Sequence, residues 1–388
     1  MRAAPAVAGM KHNGIRTIMD LAMSGTRPDL IRLEIGEPGF PTPAHVVRAA
    51  DEAAAAGRTK YTANAGIPEL RAALSDKIKR VNGFDARPED IVVTAGGVQA
   101  LFATLTALVE PGDDILIPDP AWPNYIAFGK ILGASTTAYS LAPETGFLPD
   151  LAELERLVTP RTKVLMLNSP SNPVGSVFPA GTLAELIAFA ERNDLWIVSD
   201  ECYDQVVFDD TFASTAAVGG AERTISVFTF SKTYAMTGWR IGYLAAPPSL
   251  AEIITRLQEP MVSCISTPGQ YAALAALTGP QDEQRAMVET YRANRDLAVG
   301  EFAAHGFDVY RPQGAFYLWI RTGNRDLDGM EIAKRLITEH GVAVGPGPAF
   351  GERSGEYIRL SLAASADDLR EGIRRICASG LLHPAGRF

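Results

Sequence analysis

Short runs of strand length that are apolar throughout recur between residues 91 and 245, and amphipathic stretches separate them. This alternation predicts a series of βα units. Since the runs do not alternate apolar with polar positions, both faces of the sheet should be covered, which predicts a mostly parallel sheet between helix layers. The predicted strands are 91–94, 115–117, 164–167, 195–198, 224–228 and 241–245, and Gly96 and Gly97 should form a tight turn before a helix over 99–109.

The C-terminal part of the chain has a different pattern. Helical stretches at 283–304, 329–340 and 366–379 alternate with strand-like pieces at 314–320 and 357–362, which predicts a smaller α+β domain. We expect residues 1–45 to form an N-terminal arm and part of the small domain. Residues 46–284 should form the large domain, and residues 285–388 the small C-terminal domain.

Composition narrows the function classes. The 388 residues are 47% hydrophobic and 21% charged, as in a folded globular protein. The net charge of −9 disfavours nucleic acid as a partner. Three separated cysteines without a CxxC pair give neither a zinc signature nor a disulfide framework, so we expect no metal and a reducing compartment. The apolar runs fall far short of the roughly 20 residues that span a bilayer, so we predict a cytoplasmic protein without membrane contact.

In parallel sheets, ligands bind beyond the carboxyl ends of the strands, and a glycine pair follows one predicted strand. The backbone amides of Gly96, Gly97 and Val98, together with the dipole of the next helix, could hold a phosphate there. A glycine pair at such a place is more often only a turn. The segment matches neither GxGxxG nor the Walker pattern, so a dinucleotide or ATP site is not supported.

An acid and a lysine follow two other predicted strands. Asp200 could be a helix cap or solvated loop residue, or a carboxylate that pairs with a cationic ring nitrogen or a metal. The metal is the weaker option because none of the five histidines lies beside these strand ends. Lys232 would ordinarily be a surface lysine. Here it lies among hydroxyl side chains ahead of Arg240, a setting that can make a lysine an amine nucleophile for carbonyls.

The segment Ser-Lys-Thr-Tyr-Ala-Met-Thr-Gly-Trp-Arg at 231–240 resembles the lysine motif of class I/II pyridoxal-phosphate aminotransferases. These enzymes have the aspartate aminotransferase fold (PLP-dependent transferase fold type I), and the match favours the bacterial and archaeal subgroup I gamma. Further motifs resemble the family in the same order, at 35–40, 61–71, 96–100, 120–125, 168–175, 200–203 and 359–361. The resemblance covers about residues 14 to 375.

The resemblance implies pyridoxal 5′-phosphate as cofactor and a role for each matching residue. Lys232 would bind the cofactor covalently and carry the proton at the substrate Cα, with Asp200 and Tyr203 as the other catalytic residues. Asp200 would pair with the ring nitrogen, Asn172 and Tyr203 would bond the phenolic oxygen, and Trp122 would stack on the ring. The remaining implied contacts are Gly96, Gly97, Val98, Thr229, Ser231, Arg240 and Tyr61 of the partner subunit for the phosphate, and Gly36, Trp122, Asn172 and Arg359 for the substrate.

The implied function is transfer of the α-amino group of an L-amino acid to a 2-oxo acid such as 2-oxoglutarate, by a homodimer. A β-eliminating C–S lyase on the same fold remains an alternative, and a non-catalytic cofactor-sensing protein is a weaker one. Aspartate or an aromatic amino acid is the favoured donor. Arg16 could bind a distal carboxylate, or Ile15 and Ile18 beside it could line an apolar pocket instead, or Arg16 could be a surface residue of an amphipathic helix. Val98 stands where many relatives carry a polar or basic residue, so a contact near the phosphate or substrate could be missing.

Overall fold

Two β-sheets organise the chain, for which the computed structural model describes residues 5–10, 12–25, 27–209 and 211–384. The strands are β1 (Ile31–Leu33), β2 (Ile91–Thr94), β3 (Asp114–Asp119), β4 (Ser135–Ser140), β5 (Thr162–Asn168), β6 (Trp196–Asp200), β7 (Thr224–Thr229), β8 (Gly242–Ala245), β9 (Tyr317–Arg321), β10 (Val342–Pro346) and β11 (Tyr357–Ser361). The larger sheet has seven strands in the order β2-β8-β7-β6-β5-β3-β4. Only β8 runs antiparallel to its neighbours there, and the other pairings are parallel.

Helices cover the sheets and connect their strands. They are α1 (Pro5–Ala8), α2 (Gly14–Met23), α3 (Ala44–Ala55), α4 (Pro68–Lys77), α5 (Gly96–Leu108), α6 (Asn124–Leu132), α7 (Leu151–Leu157), α8 (Ala180–Arg192), α9 (Thr215–Val218), α10 (Phe230–Thr233), α11 (Pro248–Val262), α12 (Thr267–Thr278), α13 (Asp282–Ala304), α14 (Gly329–His340) and α15 (Ala366–Ala378). Within the ranges that the structure describes, no helix combines the length and apolar character that crossing a membrane requires.

Both faces of the larger sheet are buried, which explains its continuous apolar strands. Val92 on β2 packs into the cluster that contains α5, whereas its neighbours Ile91 and Val93 belong to a cluster on the other side. Every residue of β2, β3, β7 and β8 is buried. The predicted mostly parallel sheet between helix layers is therefore confirmed.

The smaller sheet has four strands in the order β1-β10-β11-β9. Strand β1 pairs parallel with β10, so part of the N-terminal segment joins a sheet whose other strands lie in the C-terminal part of the chain. This sheet and its helices correspond to the predicted smaller α+β unit. The domain boundaries at 45/46 and 284/285 stay predictions.

The sequence pattern did not predict three of the strands, and it placed the start of helix α5 too late. Strand β1 has only three residues, β4 is polar and partly exposed, and β10 contains Gly345 and Pro346. None therefore shows the long apolar run that marks the other strands. The expected turn at Gly96-Gly97 is instead the first turn of α5, with Gly96 at a φ of +80° that favours glycine.

Candidate active site

A cavity of about 430 Å³ lies at the carboxyl ends of the parallel strands and extends to α2 and the smaller sheet. Twelve of the residues to which the family resemblance gives a role line it: Gly36, Gly97, Val98, Trp122, Asn172, Asp200, Tyr203, Thr229, Ser231, Lys232, Arg240 and Arg359. Arg359 comes from β11, and Gly36 follows β1. The cavity therefore lies between the two sheets, at the position where open α/β sheets bind their ligands.

Lys232 lies in the short helix α10, directly beyond β7. Its Nζ donates a hydrogen bond to the Gly36 carbonyl oxygen at 2.5 Å. The hydroxyl of Thr229, at the end of β7, accepts a hydrogen bond from the backbone N–H of Ser231 at 3.2 Å and so caps the turn that presents the lysine. The amine is thus held in the cavity by a neutral acceptor, and a reacting carbonyl could displace that contact.

Asp200 is a buried carboxylate at the end of β6. Its Oδ2 accepts a hydrogen bond from the Tyr125 hydroxyl at 2.6 Å, and its Oδ1 accepts one from the Cys202 backbone N–H at 3.2 Å. Burial raises the pKa of Asp200, while the hydrogen bonds from Cys202 and Tyr125 and the charge of Lys232 oppose that rise. A cation placed beside this group would favour its charged form, so the site suits a protonated ring nitrogen.

The first turn of α5 and Arg240 form an anion-binding corner. A Cβ built on Gly96 would lie 2.7 Å from Arg240 Nη2, and one on Gly97 would lie 2.9 Å from Cys202 Sγ. Only glycine lets these groups approach so closely. Free amides at a helix start, a guanidinium and the hydroxyls of Thr229 and Ser231 together are donors suited to a phosphate group.

Arg359 is 2% exposed, and its guanidinium is incompletely paired. Nη1 donates to Asn172 Oδ1 at 3.0 Å, and Nη2 donates to the Glu34 carbonyl oxygen at 2.7 Å. Nε has no hydrogen-bond partner among the described residues. Its Cζ lies 4.2 Å from the centroid of the Tyr317 ring, so the planar group is held flat between neighbours. Burial lowers the pKa of Arg359, whereas Tyr317, Tyr203 and the charge of Glu34 oppose that fall; Glu34 itself forms its ion pair with Arg32, and no carboxylate in the described ranges lies within ion-pair distance of Arg359.

The aromatic side chains complete the walls. The hydroxyls of Tyr203 and Tyr317 are 2.8 Å apart, and either can donate to the other; burial raises the pKa of Tyr203 well above its usual value. Trp122 packs edge-on against Tyr125 with ring centroids 5.7 Å apart. No role was predicted for Tyr125 or Tyr317. Tyr125 follows the end of a strand, a position that could have indicated a site residue. Tyr317 reaches the cavity from the other sheet, so no comparable feature of the sequence indicated it.

Gly96, Tyr61 and Arg16 are placed differently from the other predicted site residues. Gly96 does not line the cavity but backs Arg240. Tyr61 is 88% exposed and lies outside the cavity of its own chain. Arg16 lines the cavity, yet its Nε forms an ion pair with Asp20 Oδ1 at 2.8 Å along the same helix.

The family model described as aminotransferase class I and II matches residues 28–376, and the chain belongs to this family. It is 40% identical to the aspartate/prephenate aminotransferase of Thermus thermophilus, over 89% of this chain and 90% of that protein. Among solved structures, it is similar to the aspartate aminotransferase of Thermus thermophilus with maleate at a TM-score of 0.91 and 38% identity, covering 97% of this chain and 100% of that one. It is also similar to the aromatic aminotransferase of Pyrococcus horikoshii at a TM-score of 0.88 and 35% identity, covering 94% and 98% of the two chains.

These likenesses confirm the expected family and aminotransferase activity, and the alternatives of a C–S lyase and a non-catalytic sensor gain no support from them. The donor set of the cavity also fits the cofactor implied for the family. An amine, a buried carboxylate and an anion-binding corner line one cavity, and these are the groups that would hold an aromatic aldehyde with a ring nitrogen and a phosphate. The roles of the individual residues remain predictions.

Proposed function

We propose that this aminotransferase uses pyridoxal 5′-phosphate and transfers the α-amino group of L-aspartate or an aromatic L-amino acid to a 2-oxo acid such as 2-oxoglutarate. The buried guanidinium of Arg359 carries the proposal. A buried charge without an ion partner costs several kcal/mol, on the order of the penalty for an uncompensated ion in a protein interior. A substrate carboxylate would supply that partner, and Lys232 presents its amine in the same cavity.

Arg359 fixes the substrate by geometry as well as charge. Its remaining N–H groups can grip a carboxylate with two parallel hydrogen bonds, a fork that a lysine cannot reproduce. Asn172 and the Glu34 carbonyl hold the guanidinium from the other side. The amino acid is thereby oriented, which sets the Cα–H bond toward Lys232 and lowers the entropic cost of reaction.

When bound, pyridoxal phosphate supplies an aldehyde that condenses with an amine and a ring that accepts the electrons left at Cα. With the cofactor present, Lys232 would be the base that takes the proton from the substrate Cα and returns it to the product. Asp200 would hold the protonated ring nitrogen through its charge. Tyr203 would donate a hydrogen bond to the phenolic oxygen, and Gly97, Thr229, Ser231 and Arg240 would hold the phosphate.

We also propose that the protein is a cytoplasmic homodimer. Tyr61 is an exposed tyrosine outside its own cavity, a place suited to the phosphate site of the partner subunit. The three cysteines of the protein are all free thiols, which agrees with a reducing compartment.

An amino-donor panel with 2-oxoglutarate, oxaloacetate and pyruvate as acceptors tests the proposed reaction. We expect transfer from aspartate or an aromatic amino acid, with turnover that requires both added cofactor and a 2-oxo acid. Release of ammonia without an acceptor would contradict the proposal. So would a tenfold preference for alanine or a branched-chain donor, about 1.4 kcal/mol, although that result would leave the aminotransferase activity in place.

A further inference from the structure

We infer that the side-chain subsite of this cavity selects aromatic L-amino acids over aspartate. The inference rests on the proposed function, because it takes the α-carboxylate of the donor to lie on Arg359. It decides between the two donor classes from the residues that line the rest of the cavity.

Apolar side chains from two helices form a wall of the same cavity that Lys232 and Arg359 line. Helix α2 contributes Ile15 and Met19, which are four residues apart and so lie on one face of the helix. Helix α5 contributes Val98 and Leu101, three residues apart. Leu101 is only 1% exposed, whereas Val98 is 38% exposed, so on this helix the methyl groups of Val98 are the ones available to a ligand. An aromatic side chain would remove apolar surface from water on this wall, which is the main favourable term for such a contact.

Few cationic side chains of the cavity are available to bind a second carboxylate. Among the described residues that line it, the cations are Arg16, Lys232, Arg240 and Arg359. The last three are assigned to the amine chemistry, the phosphate and the α-carboxylate. Of the cations that this chain's described residues contribute to the cavity, Arg16 is the one left to recognise the distal carboxylate of aspartate.

Arg16 is not a free cation in this structure. Its Nε pairs with Asp20 Oδ1 at 2.8 Å, and both side chains are about half exposed. Glu37 also lines the cavity, where its carboxylate accepts a hydrogen bond from the Thr237 hydroxyl. A distal carboxylate would have to take Arg16 from Asp20, at a small cost because the pair is exposed, and would also meet the like charge of Glu37. An aromatic side chain carries neither cost.

The donor half-reaction of the cofactor-loaded enzyme tests the inference without an acceptor. We would measure kcat/KM for L-phenylalanine and L-aspartate from the absorbance change as the cofactor aldehyde becomes the amine. We expect phenylalanine to exceed aspartate by tenfold or more. An aspartate preference of that size would overturn the inference, as would equal values for the two donors.

Charge variants of the wall give a second, independent readout. Met19→Lys should shift the phenylalanine-to-aspartate ratio at least tenfold toward aspartate, and Val98→Lys should shift it in the same direction. The matched control is Met23→Lys on the same helix, because Met23 is 58% exposed and does not line the cavity. An unchanged ratio in both wall variants, with cofactor still bound, would refute the assignment of this wall to the substrate side chain.

The variant Arg16→Gln tests the remaining possibility, in which Arg16 leaves Asp20 and binds the distal carboxylate of aspartate. Exposed ion pairs are weak, so such a movement has a small energetic cost. We expect Arg16→Gln to change kcat/KM for aspartate less than threefold, and a loss of tenfold or more would overturn the inference. If no donor converts the cofactor at all, the proposed function fails instead, and the two failures are distinguishable.

Discussion

Replacing Arg359 by lysine or glutamine should separate the charge of this residue from its fork geometry. A guanidinium has five N–H donors. In this structure two of its nitrogens donate to Asn172 and to the Glu34 carbonyl, and Nε has no partner. Enough donors therefore remain to hold both oxygens of a carboxylate.

The expected losses follow from the hydrogen bonds that each variant removes. A hydrogen bond to a charged group contributes about 1.5–3 kcal/mol, which is roughly ten- to hundredfold in rate. Arg359→Lys keeps the charge but loses one arm of the fork, so kcat/KM should fall by about that factor. Arg359→Gln loses the charge as well, so its kcat/KM should fall by roughly a further tenfold or more. Both variants should still bind the cofactor.

The assay is kcat/KM for the donor half-reaction, with thermal unfolding recorded to verify the fold. Arg321→Lys is the matched control, because Arg321 lies on the adjacent strand β9 in an exposed ion pair with Glu356 at 3.0 Å. That control should keep its activity within about twofold. Losses below threefold in both Arg359 variants would refute the carboxylate-binding role.

Three further predictions concern the cofactor, the stability and the assembly. Arg240→Ala should weaken cofactor affinity roughly ten- to hundredfold and more than Arg359→Ala does, since only Arg240 lies at the phosphate corner; equal losses in a cofactor titration would contradict this division. Burial raises the pKa of Glu201 from 4.5 to about 7, so the folded state binds the extra proton and its free energy of unfolding should fall as the pH rises from about 4.5 to about 7. Denaturant unfolding should show this slope, and Glu201→Gln should flatten it; an unchanged slope would refute the assignment. Mixing Tyr61→Phe and Lys232→Ala chains should restore part of the Tyr61-dependent activity in hybrid dimers, whereas an active monomer in sedimentation would exclude the shared site.

Most strands of the larger sheet could be predicted because a strand that is buried on both faces is apolar in its local sequence. Strand β5 is buried on both faces from Val164 onward, and its apolar run at 164–167 is the direct consequence. The polar edge strand β4 and the short β1 carry no such run. Their positions depend on pairing with β3 and β10, which a local pattern does not contain.

The site was partly predictable for a related reason. Asp200 and Lys232 follow strands of one sheet, so their convergence at its carboxyl edge follows from the topology. The pairing of Asn172 with Arg359 and of Tyr203 with Tyr317 joins residues of different sheets, more than a hundred positions apart. Such contacts depend on how the two sheets are placed, and spacing along the chain gives no access to them. The motif resemblance identified Asn172, Tyr203 and Arg359 without that geometry, but it assigned no role to Tyr317.

The covalent role of Lys232 is the central claim, and borohydride reduction of the cofactor-loaded protein tests it most directly. Reduction should fix the cofactor to one lysine, and peptide mapping should place the label on Lys232, with none on the Lys232→Ala chain. Lys77 is an internal control, because this buried lysine pairs with Asp204 and lies outside the cavity. Label on Lys232 alone would support the account. Label on any other lysine, or full transamination by the Lys232→Ala chain, would contradict it.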